Sequence, residues 1–272
     1  MSAIAVVRRA MFGLARMLER LKNGLVYAAA GTLTVHELRT AIARSWVAFN
    51  DTEEDIHSGL AAWEQSFTDR HIGRGQRVLL VGSGSGRDML PLIERGCEVV
   101  GIEPAKGAAD RARSALRGEA RAVVIDGYFE DADLPGTFDS IVFSNFCYTC
   151  IPGSARRVAV LEKARAHLRP GGRIIVSFLY RQEPPHGRRI ALGRMMGALT
   201  RSDWRMEPGD AISRSPLAPP ALGYEHMFGP GELEREAAKA GLIDAGRGGH
   251  PHYEPWIVLV ASSATSARAT PS

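Results

Sequence analysis

The sequence predicts an α/β fold built on one parallel sheet, and three observations carry this prediction. From Gly73 onward, short apolar runs alternate with helical stretches, the pattern of strands joined by crossover helices. The run at residues 78–81 leads into a glycine-rich loop, and the next run ends at an acid, Glu103. The 272 residues, 45% of them apolar and 24% charged, can bury one sizeable core.

The first 70 residues are predicted to form an N-terminal helical cap. Between residues 4 and 25 the apolar positions alternate spacings of three and four, which places one stripe along a helix; its members are Ile4, Val7, Met11, Leu14, Leu18, Leu21 and Leu25. The opposite face is basic. Packing of this helix on its own domain is the favoured interpretation, and peripheral contact with an anionic membrane or pairing in a homodimer stay open.

Two further helices complete the predicted cap. Thr34-Val-His-Glu37 has the form of a capping box and opens the second helix. Asp51 or Thr52 is predicted to cap a third, with four apolar residues on one face: Ile56, Leu60, Trp63 and Phe67.

The core, residues 71–262, is predicted to contain seven strands. They are Arg77 to Val81, Glu98 to Ile102, Ala122 to Ile125, Ser140 to Phe143, Arg173 to Phe178, Leu242 to Ala245 and Trp256 to Ala261. Helices are expected at 86–95, 105–117, 154–168 and 230–240. Residues 181–228 interrupt this rhythm after strand 5 with several prolines and a basic amphipathic piece, which predicts a lid or substrate-binding insertion. Residues 263–272 are expected to be a disordered tail.

Composition narrows the function classes. The net charge of +4 is carried by scattered residues, mostly arginine, which disfavours nucleic acid as a partner. Three cysteines are too few for a secreted disulfide framework and favour a reducing, cytoplasmic location. No apolar run approaches the roughly 20 residues that a membrane-spanning helix needs.

The glycine loop carries the most specific signal. It reads Gly82-Ser-Gly84-Ser-Gly86-Arg87-Asp, so its spacing is G-x-G-x-G. A nicotinamide-binding fingerprint would need a sixth-place glycine, where this chain has Arg87, and the loop also lacks the Gly-Lys-Ser/Thr ending of a P-loop. Glu103 follows Gly82 at the end of the second strand, where a carboxylate can accept hydrogen bonds from both hydroxyls of a ribose.

Together with the later runs Val124-Ile-Asp-Gly-Tyr128, Phe138 to Phe146 and Leu168 to Phe178, these features resemble the class I S-adenosylmethionine-dependent methyltransferase superfamily. The resemblance implies a Rossmann-like, seven-stranded, mostly parallel sheet in the order 3-2-1-4-5-7-6, with S-adenosyl-L-methionine as the cofactor. By the same resemblance, the cofactor-binding residues are Gly82, Ser83, Gly84 and Gly86 at the methionine moiety, Glu103 and Pro104 at the ribose, Asp126, Gly127 and Tyr128 at the adenine, and Asn145 and Phe146 beside the sulfonium.

Catalysis then requires an acceptor aligned with an already activated methyl group, and removal of a proton if the acceptor carries one. Tyr148 and His226 are the candidate catalytic residues, because either side chain can position an acceptor or take a proton. Their structural alternatives are packing under the cap for Tyr148 and a hydrogen-bonded loop histidine for His226. Cys147 and Cys150 form one C-x-x-C pair, which with the histidines of His250-Pro-His252 is weak evidence for zinc, so no metal is predicted.

The predicted activity is methyl transfer to an oxygen or nitrogen of a small-molecule acceptor. One alternative is a membrane-surface methyltransferase acting on a lipid or quinone, with the basic amphipathic segments as its attachment surface. Another is a non-catalytic regulatory protein that binds the adenosyl cofactor. A damaged glycine loop or a missing ribose acid would mark that alternative, and both features are intact.

Overall fold

A mostly parallel sheet organises the chain. The computed structural model describes residues 3–49, 56–181, 187–214, 222–250 and 255–262. Within these ranges the main sheet has seven strands: β1 Arg77–Val81, β2 Glu98–Glu103, β3 Ala122–Asp126, β4 Phe138–Phe143, β5 Leu168–Ser177, β9 Leu242–Gly248 and β10 Trp256–Ala261. Their order is β3-β2-β1-β4-β5-β10-β9, and β10 runs antiparallel to both of its neighbours. The predicted fold class and strand order are confirmed.

The strands at the centre of the sheet are apolar because both of their faces are covered. One face carries Leu79, Ile141 and Ile174, and the other carries Val78 and Val142. Parallel pairing aligns β1 with β4 from Val78 opposite Ser140 onward, and β1 with β2 through Val81 opposite Ile102. The carboxyl ends of these strands therefore meet at one edge, where the glycine loop begins.

The helices lie before, between and after these strands. They are α1 Ala3–Gly31, α2 Val35–Phe49, α3 Ala62–His71, α4 Met89–Glu94, α5 Lys106–Ala115, α6 Ser154–Ala166, α7 Gly187–Thr200 and α8 Glu232–Lys239. The Thr34 capping box is confirmed, since the Thr34 amide donates to Glu37 at 2.8 Å and the Glu37 amide donates to the Thr34 hydroxyl at 3.2 Å.

One predicted helix start is wrong, and one predicted helix is interrupted. Helix α4 begins at Met89 instead of residue 86, because residues 86–88 still turn with the glycine loop and the Met89 amide bonds back to Gly86 at 3.0 Å. The predicted third helix is not continuous, because Ile56 is helical but residues 57–61 are not. Helix α3 begins at Ala62, and Glu64 in its first turn accepts the Ala61 amide at 2.7 Å. The predicted caps Asp51 and Thr52 lie outside the described residues, as do Pro251-His252 and the 263–272 tail.

The insertion after β5 is regular structure. It contains α7 and three short strands, β6 Leu179–Tyr180, β7 Asp210–Arg214 and β8 Leu222–Phe228, which form a second sheet in the order β6-β8-β7 within the described ranges. Its apolar side chains share a hydrophobic cluster with the first two helices; members include Tyr27, Leu38, Ile42, Ile190, Met206, Ile212 and Tyr224. The cap helices α1 and α2 thus pack on the insertion, whereas Phe67 of α3 packs on the main sheet.

The stripe of α1 is exposed. Its seven side chains, from Ile4 to Leu25, are between 53% and 77% accessible, and only the last turns of the helix are buried, at Tyr27 and Ala30. Packing of this stripe on its own domain, the favoured interpretation of the sequence, is therefore wrong. Among the described residues, no helix combines the length and apolarity needed to cross a membrane.

Candidate functional site

The glycine loop leaves β1 through a position that only glycine occupies easily. Gly82 has φ of +73°, and its amide and that of Ser83 both donate to the Ile102 carbonyl, at 2.9 and 3.1 Å. A Cβ on Gly82 would lie 2.8 Å from the Cβ of Cys147, so this close approach also requires glycine. The loop is thereby held flat across the ends of β1 and β2, with its backbone lining a cleft.

Glu103 lies at the carboxyl end of β2, on the wall of the same cleft. Its two carboxylate oxygens accept amide hydrogen bonds from Gly84 at 2.9 Å and Ala105 at 2.8 Å. The side chain is buried, and burial raises the pKa of Glu103 above its ordinary range although both amides act to lower it. The fixed carboxylate joins the glycine loop to the start of α5 and presents acceptor lone pairs to the cleft.

A buried ionic network supports the far side of the loop. Arg87 donates to Glu64 of α3 at 2.5 Å and pairs with Asp88 at 2.6 Å. Ser144, at the end of β4, donates to the other oxygen of Asp88. Burial and the nearby Asp88 charge raise the pKa of Glu64 to about 7. Asp88 and Ser144 line the cleft, so the network couples α3 to its wall.

The backbone after β4 is strained. Asn145 and Phe146 have φ of +39° and +62°, values that side-chain-bearing residues seldom adopt and that cost on the order of 1–3 kcal/mol each. The strain is held by the Phe146 amide, which donates to the Ser177 hydroxyl at 2.9 Å, and by stacking of Phe146 on Trp63 at 5.1 Å. Asn145 is thereby turned onto the cleft wall, whereas Phe146 faces α3.

The cap closes the cleft from above. Arg39 of α2 lies 3.8 Å over the ring of Tyr128 and pairs with Asp131 at 2.9 Å. The following turns of α2 contribute Ile42 and Trp46 to the wall. A short 3-10 turn, Cys147–Cys150, and the two residues after it complete this side. The wall opposite the glycine loop is therefore mostly apolar.

The two candidate catalytic residues do not line the cleft. The ring of Tyr148 is fully buried against Phe143 and Phe228, and its hydroxyl donates to Glu236 at 3.2 Å. Burial and the Glu236 charge hold the pKa of Tyr148 well above its ordinary value. These contacts correspond to the packing alternative for Tyr148.

His226 is fully buried as well, in the insertion sheet. Its two ring nitrogens are hydrogen-bonded to Asp210 at 2.8 Å and to Glu232 at 3.1 Å. Burial acts to lower the pKa of His226, but the bonds to the two carboxylates outweigh it and leave the pKa raised. With both nitrogens bonded inside the protein, the ring corresponds to the hydrogen-bonded alternative.

The cleft brings together part of the predicted cofactor set. The predicted residues that line it are Gly82, Ser83, Gly84, Glu103, Pro104, Tyr128 and Asn145. The other four do not line the cleft. Gly86 packs against Ala112 of α5, Phe146 stacks on Trp63, and Asp126 and Gly127 lie at and just after the end of β3. Sequence reasoning assigned no role to Arg39, Trp46, Asp88 or Ser144, because their proximity depends on packing between distant segments.

Residues 78–172 match the model of a methyltransferase domain family. This part of the chain is therefore similar to methyltransferase domains. The match includes the glycine loop, Glu103 and strands β1 to β4, and the sheet order is the one that the resemblance implied, so the sequence resemblance is confirmed.

Two curated proteins that are similar to this chain are informative. An uncharacterized methyltransferase of Geobacillus kaustophilus is 30% identical over 132 residues, 48% of this chain and 59% of the relative. The cypemycin N-terminal methyltransferase of a Streptomyces species is 28% identical over 115 residues, 42% of this chain and 45% of the relative. The chain thus matches about half the length of these relatives.

A solved structure has a similar fold. The 1,6-didemethyltoxoflavin-N1-methyltransferase of Burkholderia thailandensis, solved with 1,6-didemethyltoxoflavin and S-adenosylhomocysteine bound, superposes with a TM-score of 0.60. The two chains are 18% identical, and the superposition covers 85% of this chain and 91% of the other. At this identity the likeness shows the fold.

Proposed function

We propose that the protein is an S-adenosylmethionine-dependent methyltransferase that methylates an oxygen or nitrogen of a small, largely apolar molecule. One observation carries the proposal: a single cleft has the glycine loop and buried Glu103 carboxylate on one side and an apolar wall on the other. A polar end suits a nucleoside cofactor, and an apolar end suits an uncharged acceptor.

The cleft residues fit the cofactor. Glu103 offers lone pairs to ribose hydroxyls, and Tyr128, braced by Arg39, offers an aromatic surface beside it. Ser83 lines the cleft between Gly82 and Gly84, and its side chain lies under the loop against Gly101, so this part of the loop offers backbone to a ligand. When bound, the cofactor supplies an activated methyl group.

The chain's own contribution would be positioning and exclusion of water. The cap helix α2 and the turn after β4 supply Ile42, Trp46 and Ile151, which would hold the acceptor against the cofactor end of the cleft. The described residues that line the cleft include no histidine, but they include the carboxylates of Asp88, Glu103 and Glu130, and a carboxylate can accept a proton from an amine or hydroxyl acceptor. A nitrogen acceptor is supported by the names of one relative, the cypemycin N-terminal methyltransferase, and of one protein of similar fold, the 1,6-didemethyltoxoflavin-N1-methyltransferase.

The test is formation of S-adenosylhomocysteine from S-adenosylmethionine with a panel of aromatic amines, phenols and charged acceptors. We expect S-adenosylhomocysteine to form with the uncharged, apolar acceptors of the panel. Trp46→Ala should raise the acceptor KM at least tenfold, about 1.4 kcal/mol, while affinity for S-adenosylhomocysteine stays within threefold. Turnover confined to highly charged acceptors would contradict the apolar acceptor.

A matched control separates lost binding from lost packing. Trp204 packs in the same hydrophobic cluster as Trp46 but lies outside the cleft. Trp204→Ala should lower the melting temperature, as Trp46→Ala does, yet leave the acceptor KM unchanged. Equal KM effects of the two variants would refute the proposed role of Trp46.

A further inference from the structure

The first part of α1 projects from the domain without support. Residues 6–22 are all exposed, whereas burial begins only at the last turns, where Gly31 lies against Gly193 of α7. In proteins most of the stability of a helix comes from the packing of its apolar face. This helix displays an uncovered apolar stripe from Ile4 to Leu25.

The stripe has the spacing of a coiled-coil seam. Its residues alternate between a and d positions through three heptads and into the start of a fourth, with Ile4, Met11, Leu18 and Leu25 at a and Val7, Leu14 and Leu21 at d. The f positions, which face away from such a seam, are polar: Arg9, Arg16 and Asn23. The period of 3.5 matches a helix that packs along a partner helix.

The spacing of the stripe, and not its surrounding charge, favours a helical partner over a membrane. Arg9, Arg16 and Arg20 lie on the side opposite the stripe, where they line a basic groove with Arg189 of α7. A basic face opposite an apolar one also occurs in helices that lie on anionic bilayers, so the charges alone do not choose between the two occupants. The a/d register of the stripe, which is typical of a coiled-coil seam, is the observation that favours a second helix.

We propose that α1 pairs with α1 of a second copy of this chain, in parallel and in register, through the seven stripe residues. Each of these side chains exposes on the order of 100 Å², so the pairing would bury on the order of 1400 Å², within the range of roughly 1,200–2,000 Å² found in stable interfaces. In this arrangement the two domains extend to opposite sides of the coiled coil. The proposal is independent of the methyl-transfer activity.

The first test is the mass in solution at tens of micromolar protein. Light scattering should give twice the 29.5 kDa of one chain. Leu14→Glu with Leu18→Glu puts two charges into the seam and should raise the dimer Kd on the order of 100-fold, giving monomers that retain the wild-type melting temperature of the core. The control, Arg9→Glu with Arg16→Glu on the opposite face, should stay dimeric.

Disulfide trapping tests the direction of the helices. Val7→Cys and Leu21→Cys, both at d positions, should each form a covalent dimer under mild oxidation, because parallel pairing in register places each residue next to the same residue of the second copy. Arg16→Cys on the far face should not. Trapping that fails at both d positions would refute the parallel arrangement.

A monomeric wild-type protein, or equal dissociation by the Arg9/Arg16 variant, would overturn the proposal. Flotation with phosphatidylserine vesicles tests the alternative that a membrane, and not a second copy of the chain, covers the stripe. Wild-type protein that is monomeric in buffer but floats with vesicles would assign the stripe to a membrane.

Discussion

Removing Arg157 should expose how strongly a buried ionic network holds the insertion and α8 to the sheet domain. The Arg157 side chain is completely buried on α6. Its guanidinium donates to Glu236 of α8 at 2.7–3.1 Å and to Glu207 of the insertion at 3.0 Å. Arg157→Met keeps much of the side-chain volume but leaves the Glu236 carboxylate, itself nearly inaccessible, without its counter-charge.

The expected cost is large because the charge that remains is buried. Breaking a buried pair by removing one partner costs about 3–5 kcal/mol, which corresponds to a fall in melting temperature of roughly 10 °C for a chain of this size. Tyr148 still donates to Glu236, but one neutral hydroxyl does not replace a cation. The free energy of unfolding should recover partly at acidic pH, where the orphaned carboxylate can be protonated.

A double variant makes the reasoning refutable. Arg157→Met with Glu236→Gln removes both charges and keeps an amide oxygen for Tyr148, so it should regain at least half of the lost stability. Thermal and urea unfolding, followed by circular dichroism, measure both variants. A fall of less than 2 °C for Arg157→Met, or a double variant no more stable than the single one, would refute the network as a source of stability.

Two further predictions concern pH and the glycine loop. Because the pKa of His226 is raised in the folded protein, the stability that the protonated ring contributes is complete below about pH 6.5 and is lost as pH rises through the folded-state pKa. His226→Gln should therefore destabilise the protein more at pH 6 than at pH 9 in thermal unfolding. An equal effect at the two pH values would contradict a protonated His226 ring in the folded protein. Gly82→Ala combines a positive φ with overlap on Cys147, so it should lower the free energy of unfolding by about 2–4 kcal/mol and abolish cofactor binding in calorimetry. Gly118→Ala also has a positive φ but has open space around the new methyl group, so it should lower the free energy of unfolding by only about 1–2 kcal/mol. Equal losses of stability in the two variants would count against the overlap with Cys147.

The sequence predicted the sheet well because its signals are local. Each strand is a short apolar run with its own boundaries, and the glycine loop and Glu103 follow two of these strands directly. Parallel topology then brings their carboxyl ends together without further information. Seven of the predicted cofactor residues line one cleft for this reason.

The rest depended on pairings between distant segments. Tyr148 bonds to Glu236, 88 positions away, and His226 bonds to Asp210 across the insertion sheet, so neither partner could be recognised from local sequence. Leu38 of the cap and Tyr224 of the insertion belong to one hydrophobic cluster. The periodicity of apolar residues within either segment does not predict that the two segments pack together. The exposure of the α1 stripe could not be predicted from the sequence either. The same apolar spacing is expected whether the stripe packs on its own domain or on a second molecule.

The central claim is that the Glu103 cleft binds the adenosyl cofactor, and calorimetric titration with S-adenosylhomocysteine tests it most directly. Micromolar binding is expected, weakened at least tenfold by Glu103→Ala, roughly 1.4 kcal/mol. Glu98→Gln, an acid at the exposed start of the same strand, should leave the affinity unchanged. Folded protein that binds neither S-adenosylhomocysteine nor S-adenosylmethionine, or that binds NADH instead, would contradict the account.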